Sequence, residues 1–184
     1  MGKQALIIVD LQNDFCPGGS LPVPEGDQVV PVVNNLIKEF SEAGFPIFAT
    51  RDWHPIGHCS FREQGGPWPP HCVQNTRGAE FHPDLNLPEE TTIISKATTS
   101  DKDAYSGFER TNLEPLLKRS GVDKLVVCGL ATDYCVKATV LDGLKAGFKV
   151  TVVKNGIKGV NVQPGDSDNA IEEMKRGEAI FYSI

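Results

Sequence analysis

Apolar residues recur along the chain in two rhythms. Short continuous runs appear at ALIIV (5–9), PIFAT (46–50), TTIIS (91–95), KLVVCG (124–129) and KVTVV (149–153), with EAIFYS (178–183) as a sixth. Runs this continuous suit strands covered on both faces, as in a parallel sheet. Between them, apolar positions are spaced by three and four. Val29, Val33, Leu36, Ile37 and Phe40 fall on one helical face, with Pro31 near its start and Gly44 just past its end. The same spacing predicts helices over 112–119, over 133–146 (Val136, Val140, Leu144, then Gly147) and over 168–176.

Strands alternating with helices imply right-handed crossovers. The expected class is α/β: a doubly wound, mostly parallel six-stranded sheet with helices on both faces, Rossmann-like in plan. Residues 1–184 are expected to form one domain. The stretch 52–90 breaks the rhythm; it carries all four histidines and both tryptophans and has no helix or strand period. So long an irregular insertion in a compact domain is usually functional.

Composition narrows the partners. With 40% hydrophobic and 23% charged residues and a net charge of −6, the chain offers no basic surface for nucleic acid or anionic lipid. The first apolar run, within QALIIVD, is too short for a signal-peptide core or a membrane span, so a cytoplasmic location is expected. Five cysteines, at 16, 59, 72, 128 and 135, make an odd set that a disulfide framework would not use.

Ligands of open α/β sheets sit beyond the carboxyl ends of the strands. The residues just past each apolar run are therefore informative: Asp10 after the first, Arg51 and Asp52 after the second, Lys96 after the third, and the loop to Cys135 after the fourth. Carboxylate, ammonium and thiol would share one rim. Cys135 falls near the first turn of a helix that Thr132 or Asp133 would cap, where free N–H groups and the helix dipole favour thiolate over thiol. The same N–H groups can hold an oxyanion. Cys128, inside an apolar strand, reads as core filler, and Cys16 beside Pro17 and Gly18 as structural. A carboxylate next to a thiol can take its proton and return it to a leaving amine, which favours attack on an amide or similar acyl carbon.

The irregular stretch concentrates possible metal ligands. Asp52 and His54, two apart, project to one side of an extended segment, and His71 could close the site from across the loop. Three mixed ligands leave positions open for substrate or water and suit zinc, iron or manganese. Two other readings stand beside this one: a closed zinc site using the dipeptides His58-Cys59 and His71-Cys72, or histidines that merely hydrogen-bond a proline-stiffened loop. His82 fits the last of these.

Five ordered motifs carry a resemblance that runs over nearly the whole chain: VDLQNDFCPGGSL (9–21), RDWHPIGHCSF (51–61), WPPHCVQNTRGAEFHP (68–83), SKATTSDKDAYSGFE (95–109) and GLATDYCVKATVLDG (129–143). Together they resemble the nicotinamidase/pyrazinamidase group of the isochorismatase-like cysteine hydrolase superfamily. The resemblance implies a catalytic triad of Asp10, Lys96 and Cys135. It implies one divalent metal, zinc first, on Asp52, His54 and His71, with His58 matching a ligand found in some members only. It further implies a ring pocket from Phe15, Trp68 and Tyr105, and a cis bond between Leu130 and Ala131 that turns the Ala131 and Cys135 N–H groups inward as an oxyanion hole. Tyr134 stands where many relatives carry histidine, and is taken as a substitution outside the triad.

The implied activity is hydrolysis of nicotinamide, and of pyrazinamide, through a thioester. A small-molecule substrate is the expected partner, with no nucleic acid and no membrane, and a homo-oligomer is left open. The alternatives are an amidase for another small amide, such as maleamate or a ureido acid, and a non-catalytic metal- or small-molecule-binding module.

Overall fold

The computed structural model describes residues 2–184. Its centre is a six-stranded sheet of β1 (Lys3–Val9), β2 (Ile47–Asp52), β3 (Thr92–Lys96), β4 (Val122–Leu130), β5 (Lys149–Lys158) and β6 (Ile180–Tyr182), in spatial order β3-β2-β1-β4-β5-β6. Every pairing is parallel, so the expected mostly parallel sheet is parallel throughout. Four helices cover it: α1 (Val30–Glu42), α2 (Leu113–Arg119), α3 (Lys137–Lys145) and α4 (Asp166–Arg176). Among the described residues no helix is long and apolar enough to cross a membrane.

Strand alternation sorts the continuous apolar runs into two cores. Ala5, Ile7 and Val9 of β1 face α2, α3 and α4 through Leu117, Val140 and Met174. Leu6 and Ile8 face α1 through Val33, Leu36 and Ile37. With both faces covered, no polar residue is needed between them, and each buried Val, Leu or Ile side chain contributes roughly 1.5–3 kcal/mol. The apolar stripe of α1 ends where expected: Gly44 takes a φ of 68° and the Phe45 amide returns to the Phe40 carbonyl at 2.9 Å.

The strand order reverses beside β1, whose neighbours are β2 on one side and β4 on the other. The chain ends of those strands open a crevice, and the irregular stretch between β2 and β3 folds over it. Gly129 makes the close approach at this point possible. Its φ is 115°, and a Cβ there would lie 2.1 Å from the Val9 carbonyl oxygen. Gly129→Ala is expected to cost about 1–3 kcal/mol of stability, read as a lower urea midpoint, since a side chain needs a different backbone there. An unchanged midpoint would mean that β1 and β4 can separate at little cost.

Candidate active site

One residue from each of four adjacent strand ends builds the centre of the crevice. Lys96 ends β3, Asp52 ends β2 in register with it, Asp10 follows β1, and Cys135 follows β4. The long lysine side chain runs beneath its neighbours and is fully buried. Its Nζ lies 2.9 Å from Asp10 Oδ2 and 3.4 Å from Cys135 Sγ, donates to the Ala104 carbonyl at 3.3 Å, and pairs closely with Asp52 Oδ1. Asp10 is aimed by Thr50, whose hydroxyl donates to Oδ1 at 2.7 Å. The Asp10 backbone sits at a φ of 45°. Asp10 Oδ2 makes no aligned hydrogen bond, which leaves it free to accept a proton, and ligand atoms of Asp10, Asp52 and Cys135 lie within 4.8 Å of one another.

Burial shapes these groups. It works against charge on Lys96, yet Asp10 and Asp52 outweigh it and hold the ammonium well above its usual value. Burial also opposes the Asp52 carboxylate, but Lys96 and His54 keep it below the usual carboxylate range. At Asp10 burial wins over Lys96 and, helped by Asp52, raises the carboxyl. Burial pushes the Cys135 thiol well above its ordinary value against the pull of Lys96. The direction is opposite to the one expected from the helix dipole alone: burial beside two carboxylates favours the thiol.

The turn that carries Cys135 also differs from a capped helix. The Leu130–Ala131 peptide is cis, as the resemblance implied. The Ala131 carbonyl accepts from the Tyr134 and Val136 amides at 3.1 Å each, and the Cys135 amide between them does not join. This wide turn spans Thr132–Val136 before α3 starts at Lys137, so the helix expected over 133–146 is two unlike pieces. Neither Thr132 nor Asp133 caps it. Asp133 instead accepts from the Val160 amide at 2.9 Å and the Asn161 amide at 2.7 Å, tying the turn to the loop after β5.

Beside the lysine lies a cradle for a cation. Asp52 Oδ2 is 3.5 Å from His54 Nε2 and 3.9 Å from His71 Nε2, and one ligand atom from each residue fits within 4.8 Å. The far nitrogens meet backbone carbonyls, His54 Nδ1 with Ala97 at 3.2 Å and His71 Nδ1 with Pro69 at 2.8 Å, so both Nε2 lone pairs face Asp52. Burial lowers His71 toward the neutral, metal-binding form. Two imidazoles and one carboxylate fit a divalent ion with open positions. His58 stacks on His54 at 4.1 Å, but its Nδ1 meets Ser60 Oγ at 2.7 Å and its Nε2 the Lys102 carbonyl at 3.1 Å. Both His58 nitrogens are thus engaged. Among the described residues no ligand cluster contains Cys59 or Cys72, which rules against the closed cysteine–histidine site.

Residues 4–183 match the isochorismatase domain family. The chain belongs to the isochorismatase family. It is 43% identical over 205 aligned residues to the nicotinamidase of Escherichia coli, covering 100% of this chain and 96% of that protein. The crystal structure of a Pyrococcus horikoshii pyrazinamidase in complex with zinc superposes with a TM-score of 0.95 at 55% identity, covering 99% of each chain. A further neighbour, PnC1 from L. infantum in complex with nicotinate, superposes at 0.91 with 35% identity over 99% of this chain and 93% of that one.

In this isochorismatase-family chain the crevice is a pocket of about 420 Å³, its mouth included, with Cys135, Ala131, Asp52 and His71 at its inner wall. Phe15, Trp68 and Tyr105 line it as implied, joined by Leu21, Val23, Leu130, Tyr134 and Val160. Trp68 Nε1 donates to the Tyr105 hydroxyl at 3.1 Å. Tyr134 belongs to this wall: its ring lies 5.3 Å from Trp68 and 5.7 Å from Tyr105, so its substitution reshapes the pocket. Val160 lies just beyond β5, which continues to Lys158, past the apolar run 149–153 read from the sequence, so the strand-end rule applied to that run did not reach it. Arg51 stays outside, its guanidinium 3.7 Å over Trp53. His82 Nδ1 accepts from the Asp84 amide at 3.2 Å, a loop contact as expected. Cys128 is buried with its sulfur 3.8 Å from the Ile7 carbonyl, and burial raises the Cys16 thiol to about 11, so both are inert.

Proposed function

We propose that this protein is a metal-dependent cysteine amidohydrolase that converts nicotinamide to nicotinic acid and ammonia, and accepts pyrazinamide. The observation that carries the reading is the clustering of a buried thiol with a free carboxylate oxygen and an ammonium, the thiol lining an apolar, aromatic-walled pocket that Asp52 and His71 of the metal cradle also line. The relatives' activities support the same substrate. A substrate without a ring nitrogen, such as maleamate or a ureido acid, would leave the cradle without a task.

Asp10 takes the Cys135 proton as the sulfur attacks the carboxamide carbon. The Ala131 and Cys135 amides hold the oxyanion, and Asp10 returns the proton to the departing nitrogen, so that ammonia leaves and a thioester remains. A water molecule, deprotonated by Asp10, then attacks the thioester; nicotinic acid leaves and Cys135 regains its proton. Lys96 offsets the negative charge of Asp10 and of the thiolate as it forms. Asp52, His54 and His71 would hold a divalent metal, zinc first with iron or manganese also suited to these donors, and the ion would supply a Lewis-acid anchor for the ring nitrogen. Trp68, Tyr105 and Tyr134 pack the ring and fix its angle to the sulfur.

The test is ammonia release from nicotinamide by the zinc-loaded protein, before and after removal of metal with a chelator. Turnover is expected when loaded, with KM raised at least about tenfold after chelation as the ring anchor goes. No turnover by loaded protein, with zinc content verified, removes nicotinamide as substrate. Turnover unaffected by chelation keeps the thiol chemistry and removes the anchor.

A further inference from the structure

The turn after β1 contributes more than Asp10. Gln12 is fully buried, and its side chain grips the backbone of Asp52 from both sides. Its Oε1 accepts from the Asp52 amide at 2.8 Å, and its Nε2 donates to the Asp52 carbonyl at 2.8 Å and to the Ala79 carbonyl at 2.9 Å. Two residues on, the buried Asp14 carboxylate accepts from the Cys72 amide at 2.8 Å and from the Ser20 amide at 3.1 Å. Cys72 is next in the chain to the ligand His71, and its backbone stands at a φ of 46°. The Cys72 carbonyl in turn accepts from the His54 amide at 3.0 Å. All three candidate ligands therefore hang on one short segment: Asp52 through Gln12, His71 through Asp14 and the Cys72 amide, and His54 through the Cys72 carbonyl.

From this connectivity we infer that Gln12 and Asp14 are positioning residues that set the metal affinity of the site. Carboxylate and imidazoles bind a divalent ion only when their donor atoms converge, and here Asp52 is the last residue of β2 while His54 and His71 lie in the irregular stretch beyond it, where pairing is limited to isolated bridges such as His54–Val73. Gln12 satisfies the Asp52 N–H and C=O on the side where β1 has already ended at Val9, and Asp14 uses a charge-assisted bond to hold the amide beside His71. Gly78 reports how tightly Asp14 is packed: a Cβ there would lie 2.1 Å from Asp14 Oδ2. This brace rests on the proposed metal role of Asp52, His54 and His71, and extends it to residues that touch neither metal nor substrate.

Gln12→Glu keeps the size of the side chain but turns a donor into an acceptor facing two carbonyls. Asp14→Asn can serve only one of its two amides. Gly78→Ala pushes on the Asp14 carboxylate without altering it. The zinc dissociation constant of each full-length variant is measured by competition with a chromophoric chelator, after circular dichroism of the metal-free protein has established folding. Each is expected to bind zinc about 10–100-fold more weakly than wild type, and at saturating zinc to recover most of kcat. Asn34→Ala is the control for a purely structural brace. Asn34 ties the far end of the same stretch, through the Asp84 carbonyl and the Asn86 amide, and its loss is expected to lower thermal stability with zinc affinity unchanged. Folded variants with wild-type zinc affinity overturn the brace. If Gln12→Glu does not fold, Asp14→Asn and Gly78→Ala decide by the same criterion. Wild-type protein that takes up no zinc overturns the metal reading and the brace with it, whereas zinc uptake by wild type with unchanged variants overturns the brace alone.

Discussion

Cys135→Ala is expected to lower ammonia release from nicotinamide by about 10⁴-fold or more at saturating zinc, with the fold intact. The size of the effect comes from the site's construction. In the proposed mechanism Asp10, Lys96 and the two amides of the turn all act on the sulfur or on charge formed by its attack, so without it they have nothing to act on. The substitution itself is mild, since alanine fits the wide turn and fills most of the thiol's volume. Binding should survive: the aromatic wall of Trp68, Tyr105 and Tyr134 and the cradle of Asp52, His54 and His71 are unchanged. Cys128→Ala is the matched comparison, because that thiol is equally buried but faces the α1 side of the sheet, and its turnover should stay near wild type. Rapid quench and mass spectrometry should detect the nicotinoyl adduct on Cys135 in wild type only. Turnover by Cys135→Ala within about tenfold of wild type would remove this sulfur from the chemistry.

The sheet and the charged residues at its rim were legible for one reason each. Parallel strands buried on both faces leave continuous apolar runs, and a charge that ends such a run, as Asp10 and Lys96 do, stands out against it. Gln12, Asp14, Thr50 and Asp133 were not legible. Each is a polar residue with many ordinary uses, and its role is set by a group far along the chain, the Asp52 backbone for Gln12, the Cys72 amide for Asp14 and the Asp10 carboxylate for Thr50. Nothing local separates those cases from a solvated turn. The turn at Cys135 failed for a related reason. Thr132 and Asp133 have the chemistry of helix caps, but the Asp133 carboxylate found two amides beyond β5, which the residues around it do not announce. The direction in which the thiol is shifted could not be read from position alone either, because it depends on how completely Cys135 is buried and on Asp10 and Asp52 both being neighbours.

Lys96→Met is expected to cost about 3–5 kcal/mol of stability in the metal-free protein, together with all measurable turnover. The lysine is the shared counter-charge of two buried carboxylates: Asp10 Oδ2 lies 2.9 Å away, and Asp52 Oδ1 pairs with the same ammonium. Methionine matches its length and packs as well, so what is lost is charge and hydrogen bonding. With no ammonium, Asp10 and Asp52 face each other without water, and the protein must either take up a proton or open the crevice. A second substitution separates these effects from catalysis. Lys96→Met/Asp10→Asn removes one of the stranded carboxylates and should recover a large part of the lost stability while remaining inactive, since the proton acceptor is gone as well. Urea unfolding of the two single variants and the double variant gives the coupling directly. If Lys96→Met unfolds at the wild-type midpoint, the two carboxylates are not held as a charged pair in the resting protein, and the proton transfer assigned to Asp10 loses its driving arrangement.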